Sequence, residues 1–332
     1  MNLPVIVLLI PVAYFFLPDI GERKPVPFNL LSYTLLSVSS VSFIVFLSKG
    51  ESWGWFYSDK TFYVFYIALL TFLLFMVSEL ISERKLIDYS IFKEPNYLYA
   101  FITFVLVYGF VFFQTIYLIP IYFERLRDVP TFQTGLQFVG FAFFLALFAL
   151  VGGRLSDRME PKLLLLVSQS TLFIALFFFL SHLDYETPKA KIFLYLCLLG
   201  FAMGFFFSPL TALAFKSLKP LQIPIGSAVY NYARLMGASF ATSIATYQFE
   251  TGRAFHYDEI NALRAFLSGQ DIADFSLKFK LMLARLQNTL AGIYAVQDAL
   301  KIASYISLLS IMLTLFFLFL TSRRAGIPSH IK

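Results

Sequence analysis

Charge is what this sequence has least of: only 14% of its 332 residues are Asp, Glu, Lys or Arg, against 59% hydrophobic. A soluble globule of this size needs far more polar surface, so a water-solvated domain is excluded and lipid is the implied solvent. Cysteine is nearly absent. The single Cys197 rules out an internal disulfide framework and a thiolate metal site. His182, His256 and His330 stand far apart with no metal-ligand spacing, and there is no GxxxxGK loop to cradle a phosphate. Metal-assisted hydrolysis and an ATP-driven pump therefore find no seat here, and neither a cofactor nor a catalytic residue is expected. Six excess positive charges would suggest nucleic acid in a soluble protein. Here they fall in short loops between apolar runs, where they orient membrane spans, so no nucleic-acid partner is expected.

What is abundant is long apolar sequence. A helix needs about 20 apolar residues to cross about 30 Å of hydrocarbon. By that measure spans fall near residues 3–17, 28–48, 61–80, 97–123, 134–152, 161–183, 191–215, 221–248 and 302–321. The first is short and carries Pro4 and Pro11; residues 1–17 lack the basic leader and cleavage site of a signal peptide, and read as a truncated span. The runs are about twice the length of barrel strands, and an isolated strand leaves its backbone unsatisfied in lipid. The prediction is an all-α polytopic membrane protein of about nine helices, with the bilayer as its first partner.

Basic residues set the orientation. One side collects Arg23, Lys24, Arg84, Lys85, Lys93, Arg154, Arg158, Lys162, Lys216, Lys219, Arg323, Arg324 and Lys332; the other collects Lys49, Lys60, Arg125, Arg127, Lys189 and Lys191. The richer side, with the C-terminus, is expected in the cytoplasm. Residues 249–301 then form one long outer loop. Within it Phe279, Leu283, Leu286, Leu290, Ile293 and Tyr294 recur at helical spacing, which predicts a surface helix leading into the last span.

Polar residues are informative where they are costly. Every acid lies in a loop or near a span end, Glu79 and Glu124 coming closest to an apolar interior, so no carboxylate is expected at mid-membrane. Arg234 is the exception among charges, midway through the eighth span. Ser227, Asn231, Arg234, Ala238 and Thr242 follow three- and four-residue steps and make a polar stripe on that helix. Ala233, Gly237, Ala241 and Ala245 make a small-residue track beside it. Arg234 either lines a cavity or holds helices together through a buried pair. Gly200 and Gly204 form a GxxxG in the seventh span, followed by Pro209, which suits close packing or a gating bend.

The most specific local signal is GRLSDRMEPK at residues 153–162. Gly153 suits a tight turn, and Asp157 is placed to accept from Arg154 or Arg158, or to sit against a helix N-terminus where negative charge is favoured, with Lys162 following. Such a charged knot can latch two helices in one conformation and release them in another.

That loop resembles the signature between paired helices of the major facilitator superfamily. Residues 50–56 (GESWGWF) and 86–93 (LIDYSIFK) are similar to the outer tryptophan loop and a cytoplasmic segment of its fourteen-spanner drug:proton antiporters of EmrB/QacA type. Gly226, Ser227 and Ala228, with Asn231, Arg234, Gly237 and Ser239, resemble that family's penultimate-span signature. Gly140 stands where relatives often have proline. Asn2 to Pro4 looks like a motif of the family's sixth span, so the resemblance implies the sixth to fourteenth spans. It implies that residues 1–17 are a truncated span, 18–96 two linker spans with a cytoplasmic segment, and 97–332 a six-helix C-terminal lobe.

The implied function is the C-terminal part of a plasma-membrane efflux permease, exporting lipophilic or amphipathic compounds by proton antiport and incomplete without an N-terminal lobe supplied in trans. Tyr108, Phe112, Gln114, Tyr195 and Phe206 are candidate cavity-lining residues, with Asn231 and Arg234. The alternative is a non-transporting membrane subunit that pairs with a separately encoded half.

Overall fold

The computed structural model describes residues 7, 9–12, 29–83, 85–268 and 277–325, and every regular element among them is a helix. The helices are α1 (Leu30–Trp53), α2 (Asp59–Ile81), α3 (Pro95–Leu126), α4 (Thr131–Ser156), α5 (Pro161–His182), α6 (Lys189–Lys216), α7 (Ile223–Ser268) and α8 (Leu277–Ala325). All but α7 contain a stretch long and apolar enough to cross a membrane. The expectation of an all-α polytopic membrane protein is met. Of the first predicted span only residues 7 and 9–12 are described, and these are helical; the rest of 3–17 lies outside the described residues.

The sequence explains where helices begin and turn. Pro95 and Pro161 occupy first-turn positions, where a missing amide costs nothing. Between α1 and α2, Gly54 adopts φ 82°, which needs a residue without a side chain, and the Trp55 ring folds back over Gly50. At the other end of α2, buried Glu79 accepts hydrogen bonds from the Leu86 amide at 2.9 and 3.1 Å and from Ile87 at 3.2 Å. Asp88 then caps a short helix, Tyr89–Lys93.

Glycine decides the closest crossings. α4 lies on α6 where Gly200 and Gly204 face the Phe141 and Leu145 carbonyls, and a side chain at either position would meet backbone. Ser208 Oγ donates to the Ala149 carbonyl at 2.7 Å along the same contact, and α6 continues unbroken through Pro209. α3 meets α7 glycine to glycine, at Gly109 and Gly237. Behind them α5 and α8 are joined by Thr314, whose hydroxyl donates to Gln169 Oε1 at 2.7 Å and shares a hydrogen bond with Tyr99 of α3. The core among these six helices is aromatic and aliphatic, with Tyr97, Phe104, Tyr122, Phe123, Phe206 and Phe249 all buried.

The pair α1 and α2 packs on α7 by Ser40 to Tyr232 (2.8 Å), Ser243 to the Leu47 carbonyl (2.9 Å) and the Phe43 and Phe240 rings. Gln222, just before α7, donates to Asp88 Oδ2 and Ser90 Oγ, fastening the segment after α2 to the same lobe.

Residues 249–301, read from the sequence as a long loop holding a surface helix, are helical wherever described. α7 has 46 residues and α8 has 49, so at 1.5 Å per residue they run about 69 and 74 Å, well over the hydrocarbon thickness. The apolar stretch at Phe279 to Tyr294 is continuous with the last span. The glycines that would suggest breaks are contact points instead, Gly252 against Ala295 and Gly292 against Leu126. Ion pairs gird the base of this hairpin, Arg125 to Glu250 (3.6 Å) and Arg285 to Asp128 (2.7 Å), and the His256 ring lies in hydrogen-bonding contact with Glu259 (3.0 Å) and Asp298 (2.8 Å).

Candidate functional site

Three faces of α7 are covered or open for identifiable reasons. At 100° per residue, Tyr232, Met236 and Phe240 share the face that meets α1, while Gly237 turns toward α3. The remaining face carries Asn231, Arg234, Leu235 and Ala238, and the first three are exposed. The polar stripe is therefore an exposed face of α7, left uncovered by α1 and α3.

Beside that face α3 widens its hydrogen bonding to a π-helix over Val105–Phe112. Such segments recur at functional positions because they redirect side chains that an α-helix would bury. Here Tyr108 emerges from the segment, with its ring stacked on Phe104 (4.9 Å) and Phe112 (5.0 Å) and set edge-on to Phe113 and to Phe207 of α6 (4.6 Å). The Arg234 guanidinium lies close enough to the Tyr108 hydroxyl to interact with it electrostatically. Among the described residues Arg234 makes no ion pair. Asn231 Nδ2 donates to the Ser227 carbonyl at 3.0 Å, one turn away.

Tyr108, Phe112, Asn231 and Arg234 thus come together, and three other candidates do not. Gln114 is buried and donates to Gln248 Oε1 (2.6 Å) and the Ala299 carbonyl (3.0 Å), knitting α3, α7 and α8 away from that face. Phe206 is wholly inside the core. Its neighbour Phe207, 100° further round α6, is the residue beside Tyr108; periodicity alone could not choose between adjacent phenylalanines in an apolar run. Tyr195 stacks on Phe179 (4.9 Å) and lines a different recess of about 670 Å³ at the hairpin end, with His182, Glu186, Lys191, Leu290 and Tyr294.

The charged turn also differs from its reading. Among the described residues Asp157 pairs with neither Arg154 nor Arg158, and all three are exposed. Asp157 follows the last residue of α4, where the helix dipole disfavours a carboxylate. Gly153 is helical and faces Ser208 of α6 rather than forming the turn. Lys162 is buried, pairs with Glu160 at 3.5 Å and lies over the Phe317 ring at 5.1 Å, tying the start of α5 to α8.

Comparison with known proteins adds a family. The model of the Major Facilitator Superfamily matches residues 2–242. The probable multidrug resistance protein EmrY of Escherichia coli K12 is 24% identical over 243 residues, 73% of this chain and 47% of that protein. The multidrug export protein EmrB of the same strain is 22% identical over 244 residues, 72% of this chain and 46% of EmrB. The riboflavin transporter RibZ of Clostridioides difficile 630 is 24% identical over 318 residues, 96% of this chain and 62% of RibZ. The chain spans about half the length of the multidrug relatives it matches.

Proposed function

From the premise that this chain belongs to the Major Facilitator Superfamily and resembles its EmrB-type multidrug permeases, we propose that it forms the cavity-bearing C-terminal lobe of an efflux transporter for amphipathic compounds. The observation that carries this reading is the exposed Arg234 midway along the polar stripe of α7, on one face with Asn231 and near Tyr108 of α3. An exposed guanidinium at mid-span is costly in hydrocarbon and affordable beside a polar cavity. In this reading that face turns toward a second lobe, against which the lobe rocks to give alternating access.

The end carrying Lys93, Arg154, Arg158, Lys162, Lys216 and Lys219 is assigned to the cytoplasm, which supports residence in a plasma membrane with the hairpin outside. There the exposed Asp157, Arg154 and Arg158 form the near half of a latch whose other half belongs to the facing lobe. The likeness to drug:proton antiporters supports a proton gradient as the driving force.

Dye efflux from cells or proteoliposomes containing the whole transporter tests this. Arg234→Ala is expected to abolish export driven by an imposed pH gradient, while Phe143→Ala on the lipid-exposed face of α4 leaves it unchanged. Export unaffected by Arg234→Ala would sink the cavity assignment.

A further inference from the structure

We infer that the interior of the lobe binds one water molecule where α3, α5 and α8 meet, held by Gln169, Thr103 and Tyr99. Four side chains converge there, Tyr99 and Thr103 of α3, Gln169 of α5 and Thr314 of α8, and none is more than 3% exposed. Thr103 and Gln169 each stand eight residues inside their helices, about 12 Å from the basic end, at a depth where polar groups meet no bulk water. Their direct bonds are too few. The single proton of the Thr314 hydroxyl is sought by Gln169 Oε1 (2.7 Å) and the Ser310 carbonyl (2.9 Å), so in the 2.7 Å contact between Thr314 and Tyr99 it is Tyr99 that donates. Tyr99 has then spent its proton and keeps a lone pair. Gln169 Nε2, with two N–H groups, and the Thr103 hydroxyl have no hydrogen-bond partner among the described residues. Both nevertheless lie beside the Tyr99 hydroxyl, which gathers the unpaired groups around one point.

The ligand that fits must accept from an amide, donate to a hydroxyl oxygen, be small and carry no charge. Neutrality follows from the three helices themselves. Residues 95–123, 163–181 and 302–322 contain no Asp, Glu, Lys or Arg, so an ion placed among them would find no counter-charge in a low-dielectric interior. Lys162 is engaged elsewhere, with its Nζ 3.5 Å from Glu160 and 5.1 Å from the centre of the Phe317 ring, and it is that ring, stacked on Tyr99 at 4.5 Å, that adjoins the site. Water meets every requirement, since it offers two donors and two acceptors and buried waters make about three hydrogen bonds to groups otherwise unsatisfied. Accepting from Gln169 Nε2, donating to Tyr99 Oη and exchanging a hydrogen bond with Thr103, it completes the polar junction that registers α8 on α3 and α5.

Radiolytic hydroxyl-radical footprinting of the full 332-residue chain in detergent micelles made up in heavy-oxygen water tests this. Radicals formed from a bound water label the side chain it touches. Tyr99 is expected to take up heavy oxygen while Phe206, equally enclosed, does not; Tyr99 as silent as Phe206 overturns the site. Unfolding equilibria in the same micelles give a second reading. Thr103→Val keeps the shape of the side chain and removes its hydroxyl, and Gln169→Met removes the amide while Thr314 keeps the Ser310 carbonyl as acceptor. Each is expected to favour unfolding by roughly threefold to tenfold, and the double variant by less than the product, because either change releases the shared water. A stabilising Thr103→Val is the mark of a hydroxyl with no partner at all and overturns the proposal, as do single effects that multiply in full. Tyr99 labelling that persists undiminished in the double variant rejects Thr103 and Gln169 as the groups that hold the water.

Discussion

Replacing Gly237 by alanine puts a single methyl group into the α3–α7 crossing. A Cβ built there lies 2.7 Å from Gly109 Cα, a contact with backbone that no rotamer change relieves. The reciprocal substitution is milder, because a Cβ on Gly109 lies 3.3 Å from Gly237 Cα. Gly135, near the start of α4, supplies the control, since a Cβ there meets nothing within 4 Å. Overpacking of this kind costs about 1–3 kcal/mol, offset in part by about 0.5–1 kcal/mol gained when a helical glycine becomes alanine. Gly237→Ala is therefore expected to destabilise by about 1–2 kcal/mol, Gly109→Ala by less, and Gly135→Ala to be neutral or stabilising. Reversible unfolding in mixed micelles, titrated with a denaturing detergent, measures all three on one scale. Gly237→Ala with wild-type stability, or Gly109→Ala the more damaging, would refute the claim that this crossing is set by backbone contact.

Other consequences are open to direct measurement. Glu79→Ala removes the acceptor of the Leu86 and Ile87 amides, costing about 1–3 kcal/mol for unpaired polar groups; hydrogen exchange at those two amides should rise while the α1–α2 interior stays protected. Asp88 is held below the ordinary carboxylate range, chiefly by hydrogen bonds from Ser90 and further by Gln222 and Lys219. Its contribution to stability is present above the unfolded carboxylate value and is lost as pH falls through the lowered folded value, so Asp88→Asn should flatten that acid limb and leave neutral pH little changed. Asp157→Asn removes a carboxylate from the unfavourable end of α4; detergent stability should hold or rise slightly, whereas transport by the whole protein should slow if Asp157 latches to a facing lobe.

Much of this architecture was legible because long apolar runs, first-turn prolines and loop charges act locally. The exposed face of α7 was partly so: the three- and four-residue steps through Asn231 and Arg234 identified the stripe, since helical periodicity alone places those residues together. Which helix faces it was not legible. The π-helical segment that carries Tyr108, and the meeting of Gly109 with Gly237 within it, have no sequence period to announce them. For the same reason Phe206 and Phe207 could not be told apart, and Gln114, polar amid an apolar run, pointed to a cavity but serves the core. The hairpin was read as a loop because residues 249–301 fall between the long apolar runs, and the packing that extends both helices there, with Gly252 against Ala295 and Gly292 against Leu126, is tertiary.

The fastening of α1 and α2 to α7, through Ser40, Ser243 and Gln222, bears on how fast such a lobe can move. Tethered near mid-span and again at the basic end, the pair must travel with the lobe as one body. If the lobe rocks as proposed, each step shears lipid around eight helices instead of six, and hydrodynamic drag from the bilayer becomes part of the barrier. Turnover should track membrane viscosity, falling in ordered, saturated lipid at fixed driving force.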